Sequence, residues 1–255
     1  MAKQNGKPSL SLADFGLLRI GVATPELRVA DVDYNCAEIC KIARLAHLKQ
    51  CRLILYPELC LTGYSCADLF FQQQLQQRVE TALLELAQLS AAEDVTLVVG
   101  APISISGRLF NCAAFISGGK ICGLVPKSFL PNSGEFYEQR WFCSAFECHA
   151  EYLQLDSQQV PVGTDLLFQV ADFPSALIGV EICEDAWSVA PPSGSQALAG
   201  ATLLLNLSAS PEILGKHAYR RNLVASQSAR CLAAYAYSSA GPNESSTDLV
   251  FSGHS

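Results

Sequence analysis

The sequence predicts an α/β fold built as one domain, and three observations carry that prediction. Short apolar runs rich in Val, Ile and Leu alternate with longer segments whose apolar residues recur at helical spacing, the rhythm of a layered sheet. Half of the 255 residues are hydrophobic and only 16% are charged, which suits a buried core and argues against disorder. No internal repeat, low-complexity tract or linker divides the chain.

Taken in order, Leu17 to Ala23 reads as a first strand, and Asp31 or Asp33 can cap a helix that places Cys36, Ile39, Ala43 and Ala46 on one face. Arg52 to Tyr56 returns to strand, with Pro57-Glu58 at its C-terminal end. Asp68 to Ala92 reads as a long helix with Leu75, Val79, Leu83 and Leu86 aligned, and Val95 to Gly100 as a third strand. Leu109 to Ile116, Gly118-Gly119 and Ile121 to Val125 form a hairpin pattern with a glycine turn. Pro126 to Phe142 is loop-like and holds Lys127, Glu135 and Glu138; Glu147 to Val170 is irregular, with a turn at Gly163-Thr164-Asp165. Ala176 to Ile182 is a buried strand, apolar except for Glu181. Pro191 to Gly194 is a breaker, Thr202 to Leu207 a strand, Arg220 to Leu232 a helix and Ala233 to Tyr237 a last strand.

Composition excludes several classes of function. A net charge of -7 weighs against a nucleic-acid partner. No apolar run approaches the roughly 20 residues of a membrane span, and Met1 to Gly16 lacks a signal-peptide core. Eleven cysteines without a secretory leader read as reduced thiols of a cytoplasmic protein. Cys36/Cys40 and Cys143/Cys148 are close pairs, but no second C-x-x-C or histidine pair completes a zinc site, so no metal is expected.

Cys183 stands where a buried strand gives way to Glu184-Asp185, acids suited to a first helical turn. Backbone N–H groups at such a start favour a thiolate and can hold an oxyanion. Taken alone, Cys183 reads more readily as an inert core thiol, Glu58 as a solvated acid and Lys127 as a surface lysine. Together they occupy equivalent places past strand ends, where sites of α/β sheets collect, and a thiol, a carboxylate and an ammonium make an acyl-transfer site.

The flanking sequences are more specific. Tyr56-Pro-Glu-Leu-Cys-Leu-Thr-Gly-Tyr64, Val125-Pro-Lys-Ser-Phe-Leu-Pro131 and Gly179-Val-Glu-Ile-Cys-Glu-Asp-Ala-Trp187 resemble, in order, the three signatures of the nitrilase-like carbon–nitrogen hydrolases. Asn132-Ser-Gly-Glu-Phe-Tyr-Glu138, Asn206-Leu-Ser-Ala-Ser210 and Ser226-Gln-Ser-Ala-Arg230 look like the glutaminase domain of glutamine-dependent NAD synthetases. The resemblance runs from about Arg19 to the C-terminus and implies a four-layer α-β-β-α sandwich that hydrolyses glutamine. In it Glu58 would be the general base, Cys183 the nucleophile, and Lys127 with the Glu184 N–H the oxyanion site. Glu135 matches the place of an assisting second acid, with Glu138 the alternative. Tyr64, Phe136, Glu184 and Ser210 would line the glutamine pocket, Glu184 facing the substrate α-ammonium. Ser133 departs from the tyrosine common at that place.

The resemblance also implies partners: a synthetase domain or subunit, and further copies of the chain. The glutaminase reaction needs no cofactor, whereas ATP, magnesium and deamido-NAD belong to a synthetase domain of which the sequence shows no Ser-Gly-Gly-x-Asp-Ser loop. The chain ends at Phe251-Ser-Gly-His-Ser255, before the last strands such a sandwich needs, so a fragment is expected. Two other readings remain: a stand-alone amidase or nitrilase of the same superfamily, and a non-catalytic assembly module.

Overall fold

The alternation of strand and helix closes into two facing sheets in the computed structural model, which describes residues 12–255; positions 1–11 of the polar leader Met1–Gly16 lie outside the described residues. The first sheet runs β1 (Ile20–Val22), β2 (Leu53–Leu55), β3 (Thr96–Ile105), β4 (Arg108–Ser117), β5 (Lys120–Pro126), in that spatial order. Its first three strands are parallel, joined through α1 (Val32–Leu48) and α2 (Gln73–Ala92), and the last two are antiparallel. A small hairpin, β6 (Tyr152–Leu155) with β7 (Gln158–Pro161), follows. The second sheet has the order β11-β10-β9-β8, from β8 (Phe168–Gln169), β9 (Leu177–Ile182), β10 (Leu203–Ser208) and β11 (Ala234–Ser239). Here β9, β10 and β11 are parallel, with α3 (Pro192–Leu198) and α4 (Lys216–Cys231) between them.

Alternation along the strands sets the layers. Leu97 and Val99 of β3 face Ile39, Ala43, Leu83 and Leu86 of α1 and α2. The intervening Val98, with Leu55 and Phe115, meets Val180, Ile182 and Leu205 of the second sheet. Each such fully buried aliphatic side chain contributes about 1.5–3 kcal/mol relative to exposure. Helices α3 and α4 cover the outer face of the second sheet, which completes the expected α-β-β-α sandwich.

Several boundaries differ from expectation for local reasons. Asp31 caps α1, its Oδ1 accepting the Tyr34 N–H at 3.1 Å. The helix expected from Asp68 starts at Gln73, because Ala67 at φ +49° and an extended Gln72 set Tyr64–Phe71 apart as a 3-10 segment. The Pro191–Gly194 breaker opens α3 instead, proline being well suited to a first helical turn. The helix expected from Arg220 begins a turn earlier, at Lys216. The irregular stretch Glu147 to Val170 contains the β6–β7 hairpin, turned at Asp156 with φ +49°. Among the described residues no helix is long and apolar enough to cross a membrane.

Candidate active site

Three strand ends converge at one end of the sandwich: Glu58 follows β2, Lys127 follows β5 and Cys183 follows β9. The turn carrying Glu58 is pressed onto β3, with Leu59 at φ +52°, and a Cβ at Gly100 would lie 2.2 Å from the Leu59 nitrogen. Only glycine leaves room for that approach. The Glu58 N–H reaches the Ser208 carbonyl at 3.4 Å, so the turn also spans the two sheets.

Glu58 and Lys127 are fully buried. Lys127 Nζ donates to Glu58 Oε1 at 2.6 Å and to both oxygens of Glu138, at 2.7 and 2.9 Å. Asn111 Nδ2, from β4, donates to the same Glu58 Oε1 at 2.7 Å. Glu58 Oε2 is left without a hydrogen-bond partner. Tyr64 donates its hydroxyl to Glu138 Oε1 at 2.6 Å. Burial opposes the Lys127 charge, but the Glu138 and Glu58 carboxylates beside it together hold the ammonium well above its ordinary range. Burial, reinforced by the Glu58 charge, pushes the Glu138 carboxyl up to about 7, against the pull of Lys127 and Tyr64.

Cys183 is buried and sits at φ +45°, in the left-handed region, at the start of the 3-10 turn Cys183–Trp187. Burial and then the Glu58 charge raise its thiol; Lys127 opposes them, and the Ala209 N–H also favours the thiolate. The thiol therefore rests protonated and needs a base, and Glu58 is the carboxylate acting most strongly on it. Asp185 locks the turn to the lysine loop. Its Oδ1 accepts the N–H groups of Ser128 and Phe129, at 3.0 and 2.8 Å, and its Oδ2 accepts the Ile182 N–H at 3.0 Å.

The structure thus gathers Glu58, Lys127 and Cys183, and of the two candidate second acids it sets the alternative, Glu138, beside Lys127 rather than Glu135. Glu135 is exposed on the loop after Pro131, whereas Glu138 is buried against Lys127. The reason is local: the Glu138 N–H bonds the Pro131 carbonyl at 3.1 Å, which folds the intervening loop outward and turns Glu138 in. Tyr64 is buried, edge-on to Phe136 with ring centroids 6.5 Å apart, and both line a pocket of about 130 Å³ together with Glu135 and Leu249. Glu184 lies half-buried on a separate open groove with Ser128, Phe129 and Ser188. Ser210 is buried and accepts from Arg220 Nη2 at 3.4 Å.

Sequence reasoning missed Asn111, Asp185 and Lys216. Asn111 carried a signal, as the one amide side chain in the otherwise apolar run Leu109 to Ile116. Lys216 carried none; folding brings it over the Trp187 ring, 5.4 Å from the centroid, within the electrostatic reach of Cys183, Glu135 and Glu184. A separate cavity of about 460 Å³ opens between the sheets by Phe115, Phe168, Arg52 and Asp172, with none of the triad in its walls. Among the described residues no group of three or more His, Cys, Asp or Glu is placed to hold a metal. A thiol, a carboxylate oxygen without a partner and a fixed ammonium are the parts that acyl transfer at a carbon–nitrogen bond requires.

Comparison with known proteins agrees. The carbon–nitrogen hydrolase family model matches residues 19–255. The glutamine-dependent NAD(+) synthetase of Mycobacterium tuberculosis strain H37Rv is 43% identical over 238 residues, covering 93% of this chain and 35% of that protein. The Mycobacterium leprae synthetase is 40% identical over the same shares. The chain therefore spans about a third of the length of these relatives. Among solved structures, the glutamine-dependent NAD(+) synthetase of Cytophaga hutchinsonii superposes with a TM-score of 0.80 at 33% identity, covering 92% of this chain and 38% of that one. An amidase of Nesterenkonia superposes at 0.74 with 18% identity, covering 92% and 79%, a likeness of fold alone. From Arg19 to Ser255, then, this chain belongs to the carbon–nitrogen hydrolase family.

Proposed function

We propose that the chain hydrolyses the side-chain amide of glutamine to glutamate and ammonia through a thioester on Cys183, and that the ammonia serves NAD synthesis. The observation that carries the chemistry is the unshared Glu58 Oε2 in a buried array whose other oxygen is held by Lys127 and Asn111. Glu58 takes the Cys183 proton as sulfur attacks the amide carbon. Lys127 and the Glu184 N–H stabilise the tetrahedral oxyanion. Collapse breaks the carbon–nitrogen bond, and the Glu58 proton leaves with the nitrogen as ammonia. Water, deprotonated by Glu58, then attacks the thioester; glutamate departs and the thiol regains its proton. Glu138 and Tyr64 hold Lys127 in place throughout. The choice of glutamine rests on the NAD synthetase relatives, with Tyr64 and Lys216 within the electrostatic reach of Cys183 and Lys216 also within that of Glu184.

No cofactor enters this cycle. ATP and magnesium would act in a synthetase domain or subunit, which with further copies of the chain makes up the expected partners, and reduced thiols fit a cytoplasmic setting. The test is a chloroketone analogue of glutamine, followed by intact mass and peptide mapping. A single adduct on Cys183, blocked by excess glutamine and lost in Glu58→Gln, supports the reading. Labelling spread over many cysteines and indifferent to glutamine sinks it.

A further inference from the structure

Glu181 is the one charged residue in the run Ala176 to Ile182, and the chemistry above leaves it unused. It is 1% exposed on the helix-facing side of β9. Its carboxylate accepts the Ser193 N–H in the first turn of α3 at 2.8 Å, and the hydroxyl of Tyr235 on β11. Directly opposite in register on β10 is Asn206, fully buried. Asn206 Oδ1 accepts the backbone N–H of Cys183 at 3.2 Å and the Ser208 hydroxyl at 2.7 Å. Its Nδ2 makes no hydrogen bond, and the register and shared face of the strands set the amide beside the Glu181 carboxylate and the Tyr235 hydroxyl.

A buried carboxylate is expensive unless its charge is used. Here it decides which way an amide faces. Flipped, Asn206 would set its NH₂ against two donors, the Cys183 N–H and the Ser208 hydroxyl; the acid favours the orientation that keeps the oxygen on them. That oxygen holds the N–H of a non-glycine residue at φ +45°, a strained conformation that persists only where its surroundings enforce it.

We propose that Asn206 and Glu181 are a positioning pair for the nucleophile: the carboxylate orients the amide, and the amide oxygen fixes the backbone of Cys183 so that its thiol is presented to Glu58. The inference rests on Cys183 being the nucleophile. In Asn206→Asp two carboxylates face each other in register. At low pH they share a proton that replaces the amide N–H; as pH rises that proton is lost, the two charges repel, and the grip on Cys183 goes. The other ionisable groups facing Glu181 are Tyr235 of β11, Cys231 of α4 and Asp185 of the turn after β9, while α3 and β10 contribute none.

The full chain is treated with the chloroketone analogue of glutamine from pH 5 to 9. The sulfur forms a bond to the ketone's methylene carbon, chloride leaves, and the thiol proton passes to Glu58. Relative to wild type at the same pH, Asn206→Asp is expected to label near normally at low pH. At high pH it should lose about a hundredfold in the maximal inactivation rate, the order expected for a reacting atom displaced by about 1 Å, with the analogue's binding constant unchanged. The exchange Glu181→Gln with Asn206→Asp, which restores one acid and one amide, should recover most of that rate. Wild-type labelling by Asn206→Asp at every pH overturns the inference. So does a uniform loss that the exchange does not relieve. Should Asn206→Asp fail to fold, Glu181→Gln alone is expected to slow labelling about tenfold at unchanged analogue binding, and an unchanged rate overturns the pair. If wild type itself does not label at Cys183, the glutaminase reading fails first, and this inference with it.

Discussion

At the scale of single residues the decisive feature is an asymmetry in one carboxylate: two donors crowd Glu58 Oε1 and none touches Oε2. Asn111 is what makes the asymmetry firm, because Lys127 is shared with Glu138 and could follow it. Replacing Asn111 with leucine removes one of the two donors on Oε1 and lets the carboxylate rotate. We expect labelling of Cys183 to slow by up to about a hundredfold with analogue binding retained, the low end of what a positioned general base contributes. An unchanged rate would mean the amide is only core filling. Glu138 acts on the cation instead. After burial, it has the largest influence on Lys127 and acts to keep the ammonium charged. Glu138→Gln should therefore lower the Lys127 pKa and move the basic limb of the labelling profile to lower pH, read directly from rate against pH. A basic limb that stays in place would show that Glu58 alone keeps the ammonium charged.

At the scale of elements, the site depends on two contacts between segments distant in sequence. The first is the seat of the Glu58 turn on β3. In Gly100→Ala the added methyl would meet the Leu59 nitrogen at 2.2 Å, and backbone on both sides must shift. The expected result is a loss of about 1–3 kcal/mol in stability, as for other overpacked cores, together with strongly reduced labelling of Cys183. Normal labelling with normal melting would show that the turn can relax. The second is Asp185, which ties the lysine loop to the nucleophile turn through three backbone N–H groups. Asp185→Ala strands those donors and should cost about 3 kcal/mol or more in urea unfolding. Sequence made the strand ends legible because Val, Ile and Leu runs and the Gly118-Gly119 turn declare themselves locally. It did not make these contacts legible: a glycine in a strand and an acid after a cysteine each have commoner local explanations. The choice between Glu135 and Glu138 stayed open in the sequence for the same reason, since spacing along the loop cannot show that Glu138 bonds back to Pro131 and leaves Glu135 exposed.

At the scale of the whole molecule, the layered order was legible because it follows from periodicity, and the site because the ends of β2, β5 and β9 meet once the two sheets face each other. What pattern could not show is how many acids the sandwich closes over. Burial raises Glu138 and Glu244 to about 7 and Asp185 to about 8. In the unfolded chain these carboxyls titrate near 4, so between about pH 4 and 8 the folded state binds more protons than the unfolded one. Stability must then fall as pH rises through that window. The exposed acids work in the opposite sense: Asp68 and Glu147 are depressed by hydrogen bonds from Arg140 and Arg108, and their contribution is present above the ordinary carboxylate range and lost below it. The two trends cross near pH 5, where the fold should be most stable, although removing the proton of Cys183 becomes easier at higher pH. The urea midpoint is expected to be higher at pH 5 than at pH 8. Glu244→Gln, which keeps a neutral group hydrogen-bonded to the Tyr64 N–H, should flatten that dependence without moving the triad. A midpoint that instead rises from pH 5 to pH 8 would mean that the buried acids are ionised in the folded state, with Lys127 and the surrounding N–H groups outweighing the cost of removing them from water.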